Sequence, residues 1–364
     1  MKKLQILLAI ILSLAVIAGC SAPSPTAAPT DVPVEPTTPM AEAPTATEAP
    51  LVEEYPLYVN LTWHQHQPMY YKDENGFYTR PWVRVHATKD YLDMAEMIAA
   101  EEGMEATINL TPSLIRQLQD FTDNGAKDLY WVLAEVPAAE LTVEQKTFIL
   151  QRFFDANWDH IIAVYPRYQE LLDLRGGTDE AAIAAAVENF TEQDLRDLQV
   201  WFNLAWIDPD YLAQEPFKAL VDKGRDFTEE DKVTLFDGIL ALMKRVLPTH
   251  KSLQDAGILE ITTTPYAHPI LPLIYDTDLA LVGNPKAIMP KQRFSYPQDA
   301  TFHLQKSVDM YESLFGREVR GLWPGEGSVA EEIVPLVSEA GYKWMQTGEP
   351  VLVASLGLAG DRFA

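Results

Sequence analysis

The chain has 364 residues, 47% of them hydrophobic, with 53 acidic against 28 basic side chains and a net charge of −25. That is enough apolar material for a substantial core in one large or two ordinary domains, and it excludes a chain disordered over most of its length. The charge argues against nucleic acid or anionic lipid head groups as partners and favours a neutral or cationic ligand.

Met1-Lys2-Lys3 opens a short basic region, and residues 4–18 are apolar but shorter than the ~20 residues a membrane span needs. The run ends in Ile17-Ala18-Gly19-Cys20, which holds the only cysteine and resembles a bacterial lipobox. Residues 1–20 are therefore expected to be a lipoprotein signal peptide, cleaved before Cys20 with lipid attached to it, the alternative being an ordinary secretory signal. Both place the mature chain outside the cytoplasm, with the membrane touched only through the anchor. Residues 21–54 are rich in Pro, Thr, Ala and Glu without apolar periodicity, and are expected to be a disordered tether ahead of a folded part, 55–364.

Residues 57–63 read as a first buried strand running into His64-Gln65-His66-Gln67-Pro68. With the two-residue period of an extended chain, His64 and His66 point one way and Gln65 and Gln67 the other. Each imidazole is open to three uses: metal ligand, hydrogen-bond donor to a substrate hydroxyl, or structural histidine. Helical spacing follows over 90–100, then a second strand at 105–110, then Thr111-Pro112-Ser113 opening another helix. This strand, helix, strand rhythm predicts a parallel α/β fold. Residues 121–253 interrupt it with helical patterns such as 143–160 and 231–246, read as an inserted helical region in which Trp201, Phe202 and Trp206 are core.

A third strand, 258–264, ends in Pro265-Tyr266-Ala267-His268-Pro269, a proline-stiffened loop carrying another histidine. A helix at 301–315, a fourth strand at 319–323, a helix at 329–340 opened by a Ser328/Glu331 capping box, and a fifth strand at 342–347 complete the pattern. Glu326 lies between the fourth strand and its helix, at the strand end where loops of parallel α/β folds converge on one cleft. Glu326 could instead be a first-turn acid favoured by the helix dipole. The ionisable clusters at the ends of the first and third strands raise it above that reading. Five strands do not close a parallel barrel, which takes ~8 in the common form, so the sequence predicts either an open fold or a chain truncated after about five strands.

Three motifs, His66-Gln67-Pro68, Tyr266-Ala267-His268 and Trp323-Pro324-Gly325-Glu326-Gly327-Ser328, resemble those of glycoside hydrolase family 57, its α-amylase and amylopullulanase-like branch especially. The resemblance covers 57 to the end. It implies an incomplete (β/α)7, TIM-like barrel with a large helical insertion, acting on α-glucans with retention of configuration and with neither metal nor cofactor. It makes Glu326 the nucleophile and His66 and His268 holders of sugar hydroxyls; His64 and Gln67 beside them are further candidate substrate-binding residues, and Tyr266 and Trp323 are candidates for stacking on a sugar ring that could equally be core. The family's general acid is an aspartate on a later strand, and no such motif follows Glu326. These residues are thus expected to be the N-terminal part of a longer enzyme, inactive alone. Asp276 and Asp278 are poor substitutes, since acids in a solvated loop normally just hydrate.

Two other readings compete. One is a zinc-dependent hydrolase of the polysaccharide deacetylase kind built on His64 and His66, which needs a third protein ligand, and no matching motif supplies one. The other is a non-catalytic carbohydrate-binding lipoprotein.

Overall fold

A computed structural model describes residues 57–357; the expected signal peptide, the tether and Cys20 lie outside the described residues. Five parallel strands make one sheet in sequential order: β1 (Thr62–Gln65), β2 (Ala106–Leu110), β3 (Leu259–Thr263), β4 (Gly321–Leu322) and β5 (Trp344–Met345). The sheet is open, an α/β arrangement with helices between successive strands. Because every strand runs the same way, all five carboxyl ends lie along one edge.

β2 is buried over all five residues, as is the two-residue β4, as expected of strands with neighbours on both sides. The first strand starts later than its sequence suggests. Leu57 and Tyr58 are almost fully exposed, and pairing begins at Thr62, so His64 lies inside the strand. β1 is an edge of the sheet, with only β2 to hold it, and the run before Thr62 is tied to β2 by the Leu61 carbonyl, which accepts from the Thr107 amide at 2.9 Å, and by Asn60 Oδ1, which accepts from the Thr107 hydroxyl at 3.2 Å. The fourth and fifth strands shrink to two residues each.

The inserted region between β2 and β3 is helical, as its periodicity indicates. The helix Pro112–Asn124 takes its N-cap from Thr111, whose hydroxyl accepts from the Leu114 amide. Three further helices, Val143–Arg152, Glu192–Leu204 and Glu229–Asp255, begin with capping boxes at Thr142, Thr191 and Thr228. Two extents differ from the periodicity. The first of these helices stops at Arg152, short of 160, and the third continues through Pro248 to Asp255. Trp201 and Phe202 are buried in the core, and Trp206 packs against it.

The insertion is fastened to the helix Trp82–His86 by a buried polar knot. Arg84 donates to both carboxylate oxygens of Asp128, at 2.6 and 3.1 Å, and to Asn203 Oδ1 at 2.7 Å; Asp128 also accepts from the Trp131 amide. Arg84 and Asp128 are both essentially inaccessible to water. Among the described residues no helix is long and apolar enough to cross a membrane.

Candidate active site

The carboxyl edge of the sheet gathers side chains far apart in sequence. The register places His64 beside Asn109 and Asn109 beside Thr262. Asn109 Oδ1 lies 2.6 Å from His64 Nδ1, and Asn109 Nδ2 donates to Thr262 Oγ1 at 3.0 Å. With the amide nitrogen committed to Thr262, its oxygen can only accept, so His64 carries its proton on Nδ1 and offers the Nε2 lone pair. One face of His64 stacks on Trp323 with ring centroids 4.5 Å apart and planes 6° from parallel. His66, just past β1, and His268, past β3, complete a trio, with centroids 5.3 Å (His64 to His66), 5.1 Å (His64 to His268) and 4.3 Å (His66 to His268) apart.

Backbone strain concentrates here. Ala267, His268 and Glu326 all hold left-handed φ values, +62°, +62° and +56°, which cost a side-chain-bearing residue ~1–2 kcal/mol each. The two loops are also locked together. A Cβ on Gly325 would meet the Pro269 carbonyl oxygen at 2.2 Å, so only glycine lets the β4 loop seat against the β3 loop. Gly327, also left-handed, lets Thr347 Oγ1 donate to its carbonyl at 2.8 Å. The outcome is Glu326 presented to solvent, with Oε1 3.6 Å from Nε2 of a well-buried His268.

That 3.6 Å contact is too long for a hydrogen bond. Nor is it an ion pair near neutral pH, because burial first, then the neighbouring His66 and His64, pulls His268 down to about 4. Burial likewise lowers His64 and His66, opposed at His64 by the Asn109 hydrogen bond and at both by the Glu326 carboxylate. His268 Nδ1 is buried without a hydrogen-bond partner among the described residues.

The other expected site residues sit differently. Gln67 is buried with both ends of its amide in use, donating to Tyr91 and accepting from Tyr70, so it shapes the loop instead of facing the trio. Tyr266 accepts from Arg116 at 2.8 Å and lies under Lys306. The expected capping box at Ser328 is absent. Residues 328–330 are extended, a short turn occupies Glu331–Ile333, and the helix proper is Val334–Glu339 with Pro335 in its first turn, where proline is tolerated. Glu326 therefore belongs to a turn, not to a helix N-terminus, and the helix dipole does not account for it. Arg293 holds Asp276 down to about 2 through a paired hydrogen bond and also contacts Asp278, the opposite of what a proton donor needs. The missing third ligand of the zinc reading is corrected as well: His268 is brought to His64 and His66 by the fold.

Two supporting residues escaped the sequence reading. Asn109 was legible as an amide in an otherwise apolar strand, but its role depends on strand register. His303 gave no local signal.

Residues 60–359 match the sequence profile described as glycosyl hydrolase family 57. Among solved structures, the chain is similar to an α-amylase from Thermotoga maritima (15% identity, TM-score 0.38), covering 79% of this chain and 38% of that one. It is also similar to family 57 branching enzymes from Thermococcus kodakaraensis and Pyrococcus horikoshii, each 19% identical, with TM-scores of 0.35 and 0.34. Those alignments cover 74% of this chain and 33% and 34% of theirs, so the chain spans little more than a third of the length of the structures it matches. No curated protein sequence matches. The profile covers most of the chain, and the chain belongs to glycosyl hydrolase family 57.

Proposed function

We propose that the chain carries the nucleophile half of a retaining glycosidase or transglycosylase acting on α-glucans, amylase-like or amylopullulanase-like, with Glu326 as the attacking group. The observation that carries this is the pairing of a strained, solvent-facing Glu326 with a neutral His268 that packs against His66 and His64. A carboxylate oxygen attacks the anomeric carbon, the bond from that carbon to the leaving oxygen breaks, and a glycosyl ester forms; water then releases the sugar. Neutral imidazoles donate to or accept from sugar hydroxyls, and Trp323 supplies an apolar face. The second carboxyl, ~5–5.5 Å from the first in retaining enzymes, is assigned to no described residue.

The test avoids any need for that acid. A 5-fluoro-α-glucosyl fluoride transfers its sugar while fluoride leaves unprotonated. Mass spectrometry is expected to find one glucosyl adduct on the peptide containing Glu326, and none in Glu326→Gln. An intact chain with no adduct, or one labelled elsewhere, defeats the assignment. We further propose surface tethering through Cys20, supported by the Ile17-Ala18-Gly19-Cys20 sequence; incorporated fatty acid should disappear in Cys20→Ser.

A further inference from the structure

We propose that His64, His66 and His268 form a three-nitrogen site for a divalent transition-metal ion of the zinc, cobalt or copper class, sharing its atoms with the sugar cleft so that metal and glucan compete. The competition, not the metal binding, rests on the glycosidase reading above.

Geometry carries the proposal. One ligand atom from each imidazole lies within 4.8 Å of the other two. Three imidazoles on a tetrahedral ion with metal–nitrogen bonds of ~2.1 Å hold their nitrogens ~3.4 Å and their ring centroids ~5 Å apart. The centroids here are 4.3 to 5.3 Å apart, in the range a bound ion requires, and the ligand nitrogens have to draw together by at most about 1.4 Å. Sugar binding alone requires no such mutual approach of three nitrogens.

The surroundings match a ligand set. Histidines that bind metals commonly donate their other ring N–H to an oxygen, which fixes the tautomer; His64 does this to Asn109, itself held by Thr262. Glu326 Oε1, 3.6 Å from His268 Nε2, lies beside the trio but outside the set of mutually close ligand atoms, which leaves the fourth position to water. Three imidazoles suit zinc-class ions and not magnesium or calcium, which take oxygen sets. An ion on these nitrogens would take up the lone pairs and N–H groups that sugar hydroxyls would otherwise use, making the ion an inhibitor.

Titration of the purified, untagged chain with Co2+, followed by visible absorption, is expected to give the intense bands of four-coordinate cobalt at one equivalent. His66→Ala and His268→Ala should each raise the apparent Kd at least ~100-fold, and loss of the supporting Asn109 by ~10–100-fold. The exposed His160→Ala should change nothing. His66 is half-exposed beyond the strand, so its variant keeps the test valid if His268→Ala fails to fold. Maltooligosaccharide should bleach the bands. Absent bands, bands that survive His66→Ala, or bands that glucan leaves unchanged overturn the proposal. Intact bands without sugar transfer to Glu326 would instead defeat the glycosidase reading alone.

Discussion

The helical insertion and the carboxyl edge of the sheet are built on opposite terms. The insertion is tied together by polar closures: Arg84, Asp128 and Asn203 make a knot and three capping boxes tie off helix starts, although Arg175 Nη2, Trp206 Nε1 and His250 Nε2 lie buried without a partner among the described residues. The edge leaves things open, with three side-chain-bearing residues at left-handed φ, a buried ring nitrogen without a partner, and a carboxylate turned to solvent. Strain that persists at chemistry-bearing residues, inside a scaffold that over-determines them, is what a working site looks like.

That contrast can be broken experimentally. Removing one member of the buried knot, Asp128→Ala, strands Arg84 without its counter-charge and should lower unfolding free energy by ~3–5 kcal/mol in urea melts; a loss under ~1 kcal/mol would mean that the insertion is not the anchored part.

His250 sharpens it as the one among the insertion's exceptions whose side chain ordinarily changes charge near neutral pH. Its Nδ1 faces the Val246 carbonyl at 2.8 Å, its Nε2 has no partner among the described residues, and burial holds it down to about 4. The folded value lies below the ordinary 6.5, so between those pH values the unfolded chain binds more protons. The stabilisation is full above pH 6.5 and is lost as pH falls toward 4, on the order of 3 kcal/mol. His250→Gln should flatten that slope; a slope unchanged in the variant assigns it elsewhere.

Gly325→Ala drives a methyl into the Pro269 carbonyl and should cost ~1–3 kcal/mol while also abolishing sugar transfer to Glu326. Normal labelling in a stable variant would show that the two loops need not interlock. The smallest effect has the opposite sign. Glu326→Gly removes left-handed strain and should raise stability by up to ~1 kcal/mol, visible as a higher melting temperature in a chain that no longer labels.

How much of this was legible in the sequence follows the same division. The helix opened at Thr111 is legible from its local signal, and the helical character of the insertion from its periodicity; Thr142, Thr191 and Thr228 carry the same kind of signal, each accepting from the amide three residues on, but escaped the sequence reading. Ser328 and Glu331 show the same spacing and fail, because the left-handed pair Glu326 and Gly327 and the later Pro335 displace the helix. The strands were placed within a few residues, but a strand end is fixed by its neighbours' hydrogen bonds, which no local pattern encodes. For that reason His64 read as lying just past the strand and not inside it, and His268 did not look like the third member of its cluster.

One contact between the two loops' supports has a kinetic meaning. The Tyr266 amide donates to the His303 carbonyl at 2.9 Å, and His303 Nδ1 lies 2.8 Å from the Tyr266 carbonyl, so the loop bearing His268 is clipped twice to the middle of the helix Pro297–Phe315. In deuterated water the Tyr266 amide should exchange on the schedule of that helix and not of a surface loop, making His268 part of a cooperative unit that opens only when the helix does.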